Sequence, residues 1–214
     1  MNASRSRLPC SSALLVLAFL ATACGGSSGG GEGTSDIIDS GGLVIGDTGP
    51  NGGTIFFVDN NDDYTFSYLE AAPNRISFRV GPSLNVLFMW ASTAGGAGYS
   101  IPGTSDGIGA GQQNTNIVAN SLTSDGQNGR AVHLALDYDQ GSCEWFLPSK
   151  DELNLMYVNL IQPALVSMPG GLYWSSTQAS AGHAWAQSMS SPGGGFQSSL
   201  DKGQANQLWP ICAH

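Results

Sequence analysis

An α+β fold, with short antiparallel strands, a few short helices and long glycine-rich loops, is predicted by three observations. The chain holds 30 Gly and 10 Pro in 214 residues, with only 11% charged residues. That composition suits a loop-rich extracellular domain better than a helical bundle. Short aromatic and β-branched runs bounded by Gly, Pro, Asn or Ser lie on either side of the middle of the chain. Between them, WFLPSKDELNLMY (145–157) carries a strong helix-start signal. At this length one well-buried domain is expected rather than two.

The first 23 residues read as a processing segment. MNASRSR supplies two positive charges, SSALLVLAFL is an apolar run short for a bilayer, and ATAC puts small residues before Cys24. This pattern resembles a bacterial lipoprotein signal, in which Cys24 becomes the lipidated first residue. Ala21 stands where Leu is commonest, and ordinary secretory cleavage near Ala23 is the alternative. Gly25, rather than Asp, resembles lipoproteins sent on to the outer membrane or cell surface. GGSSGGGEGTS follows as a flexible tether, so 24–42 is read as anchor and linker and 43–214 as the folded domain. The formal charge is −9. Without Arg5 and Arg7 it is −11, from 5 basic against 16 acidic residues. Such a surface repels nucleic acid and anionic membranes, so only the lipid would hold the protein at a bilayer.

Along the domain, GGTIFFVD and YTFSYLEAAP flank the polar NNDD and predict a β-hairpin. NVLFMW reads as a buried strand, and TAGGAGYSIPGTSDGIGAGQQ as a long irregular loop. Short helices are expected over 115–122 and 129–138, the second supported by Val132, Ala135 and Leu136 on one helical face. LYWSST, HAWAQSMS, GGFQSSLD and NQLWPIC complete the chain as short strands. Tyr173, Trp174 and Trp185 are assigned to the core.

Lys150, Asp151 and Glu152 stand together in a chain poor in charge. Ser149 with Glu152 fits the S-x-x-E capping box, and carboxylates suit the positive end of a helix. Leu153, Met156, Tyr157 and Leu160 follow as one apolar stripe. The charges start a helix, and the carboxylates are expected to point outward. A catalytic role is not expected, because no His is placed nearby.

Other motifs are also refused. GTSDG (103–107) matches G-x-S-x-G, but glycine-rich loop lies on both sides of it. His133, His183 and His214 show no metal-binding spacing, and Gly107, Gly109 and Gly111 complete no nucleotide fingerprint. Asp59, Asn61, Asp63 and Glu70 fall at positions 1, 3, 5 and 12 of an EF-hand-like loop, oxygen donors of the kind Ca²⁺ takes. Tyr64 occupies the position that wants Gly, and a polar hairpin turn explains the same residues. No other cofactor is expected.

IGDTGPNGGTIFFVD, YLEAAP, GIGAGQQNTNIV, WFLPSKDELNLMY and YWSST…AWAQSMS occur in an order that resembles the C-terminal domain of the Legionella collagen-like protein family. The resemblance covers Ile45 to about Ile211. It implies a C-type-lectin-like fold, two helices packed on antiparallel strands, with long loops forming a ligand surface, and relatives are implicated in adhesion and in binding sulfated polysaccharides. Sulfate binding transfers poorly to an acidic domain whose cations are Arg75, Arg79, Arg130, Lys150 and Lys202. Where relatives tend to read Gly-Tyr-Ser-Asp-Trp this chain has QGSCEW, and where they end with Arg-Pro-Val-Arg it has WPICAH. Both departures introduce a cysteine. With Cys10 in the leader and Cys24 lipidated, a Cys143–Cys212 disulfide pinning the last strand beside the helix start is the natural reading, and two buried free thiols are the alternative.

The expected function is a surface-tethered, non-catalytic lectin-like domain that binds an extracellular glycan or protein. A structural envelope role is the alternative. An oxidase related to formylglycine-generating enzymes is remote, since that chemistry uses reactive cysteines. The ligand surface is expected on the segments joining the last strands, at Gln178, His183, Gln187, Phe196, Gln197, Lys202, Gln204 and Asn206, where amides and one exposed ring suit hydroxyl-rich or protein ligands. The loop over 93–113 is the next candidate.

Overall fold

The computed structural model describes residues 42–73, 78–80, 83–85, 87–92 and 99–214; the leader, Cys24, most of the tether, Arg75 and part of the loop over 93–113 lie outside them. The described residues form a mixed α+β structure. Strand β1 (Thr54–Val58) pairs antiparallel with β2 (Tyr68–Ala71), as the hairpin reading expects, with a bulge between Ile55 and Phe57. Strands β3 (Phe78–Val80) and β4 (Ser83–Asn85) form a second small hairpin. Of NVLFMW, Asn85 ends β4 and Phe88–Met89 form β5; Phe88 and Trp90 are buried as expected, but Leu87 and Met89 are exposed.

Helix α1 runs Gly111–Ser124, longer than its sequence signal, because its start lies inside the glycine-rich stretch where no capping residue marks it. Helix α2 (Ala131–Leu136) buries Val132 and Ala135 but leaves Leu136 exposed, so the apolar face is narrower than expected. Helix α3 (Lys150–Met156) begins with the predicted capping box and passes into a π-helical turn, Tyr157–Ile161. Leu153, Met156 and Leu160 are buried.

The C-terminal part is strand. Strands β6 (Leu172–Gln178), β7 (His183–Ser188) and β8 (Gln197–Asp201) make an antiparallel meander. Strand β9 (Ala205–Asn206) pairs with β5, and β10 (Ile211–Ala213) pairs with β2. The order β1-β2-β10 thus joins the first hairpin to the last strand. Phe146, just before α3, bridges to Ile211 of β10. The helix start and the last strand are therefore neighbours, which is what allows their cysteines to meet.

Two apolar clusters fill the interior. One centres on Trp90, Val118, Leu122, Val132, Leu147, Trp174 and Leu208. The other holds Phe56, Leu69, Trp145, Phe146, Leu153, Met156, Tyr173, Trp209 and Ile211. Burying each large side chain contributes about 1.5–3 kcal/mol, provided polar edges find partners. They do: the indole N–H groups of Trp90, Trp145, Trp174 and Trp209 donate to the carbonyls of Ser175, Gln140, Phe88 and Ala72 at 2.7–2.9 Å. Tyr173 and Trp174 are core residues as expected; Trp185 is only half-buried, with Lys150 Nζ 4.5 Å above its ring. Glu152 also departs from expectation. Its carboxylate is buried and accepts from the backbone N–H groups of Ser149 (2.7 Å) and Gly109 (2.8 Å). The side chain both caps α3 and fastens the preceding loop.

Candidate functional site

The segment between α2 and α3 turns back over the start of α1, and the turn leaves an open cleft. A cavity of about 500 Å³ is lined by Gln112 and Asn116 of α1, Asp137, Tyr138, Asp139 and Glu144 of the segment, and the buried rings of Trp145 and Phe146. A second cavity of about 290 Å³ shares Gln112, Cys143, Glu144 and Phe146 with it and extends to Ala213 and His214. Exposed carboxylates and amides thus surround an aromatic floor. Tyr138 meets Trp145 edge-on at 5.2 Å, which fixes that floor. Gln112 Nε2 donates to Glu144 Oε2 at 3.1 Å and ties the helix to the segment. Asp137, Asp139 and Glu144 give the cleft negative charge, so it suits hydroxyl-rich or cationic groups and repels sulfates.

The disulfide expected from the sequence is present. Cys143 and Cys212 are bonded, with Cα atoms 6.2 Å apart and a sequence separation of 69. Behind it His214 Nε2 lies 3.0 Å from Cys212 Sγ, 3.0 Å from Glu70 Oε2 and 3.2 Å from Asn51 Nδ2. Glu70 is fully buried, and its oxygens also accept from the N–H of Gly53 (2.6 Å) and from Asn51. The glycines at 49 and 53 make this approach possible, since a Cβ at either would overlap Glu70. Cys143, Cys212 and His214 bring three potential metal donors together. While the sulfurs are bonded to each other they supply no thiolate, so the closed cluster lacks the ligands a metal needs.

The four residues of the EF-hand-like reading do not converge. Asp59 Oδ1 and Oδ2 accept from the backbone N–H groups of Asn61 (3.2 Å) and Tyr64 (2.8 Å), the hydrogen bonding of a polar turn. Burial alone would raise the Asp59 carboxyl, but the N–H groups of Tyr64, Asp63 and Asn61 outweigh it and hold the carboxyl below its ordinary range. Asn61 Nδ2 reaches Asp63 Oδ2 at 3.5 Å. Glu70 is turned away, committed to Asn51, Gly53 and His214.

The expected ligand face is likewise divided. Lys202 is buried, with Nζ donating to Tyr99 O (2.6 Å), Gln178 Oε1 (2.6 Å) and Ala181 O (3.0 Å). Gln178 Oε1 also accepts the N–H of Ile101 at 2.7 Å. Gln187 is buried against Asn154 and Gly195, and Gln197 is spent on Lys150 O and Gln187. Asn206 is buried in β9. The Gln178, Gln187 and Gln197 amides and the Lys202 ammonium bind the fold to itself, and Asn206 is buried with its Nδ2 unpartnered among the described residues, so the expectation that these side chains face solvent is corrected. His183, Phe196 and Gln204 are exposed. In the β7–β8 register, His183 pairs with Asp201 and Gln187 with Gln197, so Phe196 lies at the opposite end of the strands from His183.

Sequence reasoning missed the cleft. Its residues come from 112–116, 136–146 and 213–214, and no local spacing joins them. The only signal was the paired cysteines, which mark where two of these segments meet. No protein-family model matches this chain, and no curated protein does. At GTSDG, the Ser105 N–H donates to Asn114 Oδ1 (2.9 Å) and the Ser105 carbonyl accepts from Asn114 Nδ2 (2.7 Å); among the described residues no strand leads directly into the motif.

Proposed function

We propose that this protein is a lipid-anchored envelope protein whose C-type-lectin-like domain, related to that of the Legionella collagen-like family, binds an extracellular glycan or protein without catalysis. The observation that supports the reading is the cleft of about 500 Å³, with amides and carboxylates around a rigid Tyr138–Trp145 pair. Such a lining provides donors, acceptors and a flat apolar surface together, which is what hydroxyl-rich ligands require. Its negative charge directs the choice towards neutral or amino sugars, or basic protein segments, and away from sulfated chains.

A screen of full-length protein in detergent against neutral, amino and sulfated glycans and matrix proteins, with Ca²⁺ and with chelator, tests this. Saturable binding unaffected by chelator, and weakened about tenfold by Asn116→Ala with Glu144→Gln, is the expected result; tenfold corresponds to about 1.4 kcal/mol. If no ligand saturates, the structural envelope role takes its place.

A further inference from the structure

The two sulfurs of the disulfide are chemically unlike. Cys212 is fully buried in β10, whereas Cys143 is half-buried and lines both cavities of the cleft. His214 Nε2 stands 3.0 Å from Cys212 Sγ but 3.8 Å from Cys143 Sγ. Asn51 Nδ2 adds a second N–H at 3.7 Å from Cys212 Sγ. The His214 ring is fixed by Glu70, by stacking on Tyr68 at 4.7 Å, and by backbone hydrogen bonds with Ser67 and Tyr68. Nitrogen donors therefore gather on the buried sulfur, and open space lies at the other.

We propose that the Cys143–Cys212 bond is an exchange-active disulfide that captures a small, positively charged thiol at Cys143. The incoming thiolate enters the cavity of about 290 Å³ and attacks Cys143 Sγ. A new S–S bond to Cys143 forms as the Cys143–Cys212 bond breaks. The electron pair of the broken bond leaves on Cys212 Sγ, beside Asn51 Nδ2 and the single Nε2 proton of His214, which Cys212 Sγ shares with Glu70 Oε2. The proton lost by the incoming thiol ends on Cys212, so one thiol and one disulfide give one mixed disulfide and one thiol, with no net oxidation. Attack at Cys212, which is fully buried, would leave the charge on Cys143, farther from His214 Nε2. Glu144 lines the same cavity and selects against anionic thiols. This capture is stoichiometric, and it stands whether or not the cleft holds a glycan.

The test exposes full-length protein to cysteamine or 2-mercaptoethanesulfonate at matched thiolate concentration, quenches with acid, and maps adducts by mass spectrometry. The expected product carries the adduct on Cys143 and a free thiol at Cys212, and cysteamine reacts several-fold faster than the sulfonate. Glu144→Gln should remove that preference while the adduct stays on Cys143. His214→Gln should slow capture on the order of tenfold, because the leaving sulfur loses its nearest donor. Adducts on Cys212, adducts divided equally between the sulfurs, or an intact disulfide under conditions that convert a model dialkyl disulfide would each overturn the proposal. Mapping the unaltered protein decides the matter even if His214→Gln does not fold.

Discussion

Lys202 Nζ lies 2.6 Å from Gln178 Oε1, inside the protein, with no carboxylate among its hydrogen-bond partners in the described residues. The ammonium is held by three oxygen acceptors and by the face of Trp90, 4.5 Å away. It joins the end of β8 to the β6–β7 turn and to the loop at Tyr99 and Ile101. Burial pushes its pKa down from 10.5 to about 8. Lys202→Met removes the donor to the Tyr99 and Ala181 carbonyls and leaves Gln178 Oε1 with the Ile101 N–H alone, so stability should fall by about 1–3 kcal/mol, read from denaturant midpoints.

The same shift sets a pH dependence. Below about pH 8 the native and unfolded chains both carry the proton, and the contribution is flat. Between about 8 and 10.5 the unfolded chain holds more protons than the native one, so native stability rises with pH. The three acceptors favour the ammonium, which limits the gain to the order of 1–2 kcal/mol. The stability difference between the unaltered protein and Lys202→Met should therefore widen across that window. A difference that narrows would show that Lys202 is not desolvated.

Gly111→Ala should reverse the usual sign of its substitution. Alanine normally stabilises a helix over glycine by about 1 kcal/mol. At the start of α1, however, a Cβ would overlap Glu152 Oε2 and come within 2.9 Å of Phe146 Cε2. Burial raises the Glu152 pKa, opposed by the N–H groups of Ser149, Gly109 and Gly111 and by the Ser149 hydroxyl, so displacing the carboxylate costs hydrogen bonds as well as space. A loss of about 1–3 kcal/mol is expected by thermal or chemical unfolding.

What the sequence disclosed follows from the range of each interaction. The Ser149–Glu152 box was legible because both partners lie within one helical turn, and the hairpin because its strands flank a polar turn. The second role of Glu152, accepting from Gly109, depends on a residue 43 positions away and left no local mark. Lys202 and Gln187 were read as solvent-facing because lysine and glutamine are mostly exposed. Here a tertiary set of carbonyls and amides overrides that preference. The cleft was invisible for the same reason: helix α1, the 137–146 segment and His214 meet only in space. The cysteines were the exception, because the chemistry of two remaining thiols in an oxidising setting links distant positions without any periodicity.

Removing the bridge tests how far it holds these segments together. With a sequence separation of 69, chain entropy assigns it roughly 4 kcal/mol, and strain in the native state can lower the net effect. Cys143→Ser with Cys212→Ser should cost about 2–4 kcal/mol in denaturant titrations. Because the same bond joins the cleft wall to β10, ligand binding should weaken in this variant even at temperatures well below its unfolding transition. Unchanged affinity would show that the wall is held by Phe146–Ile211 pairing alone.

Anchoring is expected to be separable from folding. Cys24→Ala should move the protein from the detergent phase to the aqueous phase, because the lipid and not the acidic domain seeks the bilayer. The melting transition of the domain should be the same in both forms. Partitioning that does not change would sink the lipoprotein reading and favour another mode of retention.

The final prediction sets the cleft against the strand-end face. Tyr138→Ala removes the ring that braces Trp145 and should weaken ligand binding by about tenfold or more, within the 1–3 kcal/mol that an aromatic contact at a recognition site commonly contributes. Asn116→Ala and Glu144→Gln change exposed groups on the two walls and should weaken binding while altering stability by about 0.5 kcal/mol or less. Phe196 is also exposed, at 56%, but its neighbours Gln187 and Gln197 are occupied with each other and with Lys150 O. An isolated ring without free polar partners offers little specificity, so Phe196→Ala should leave affinity unchanged. Titration of the four variants against one saturating ligand separates the faces: loss confined to Phe196→Ala would move the site to the β7–β8 end and leave the cleft as a structural seam between α1 and the last strand.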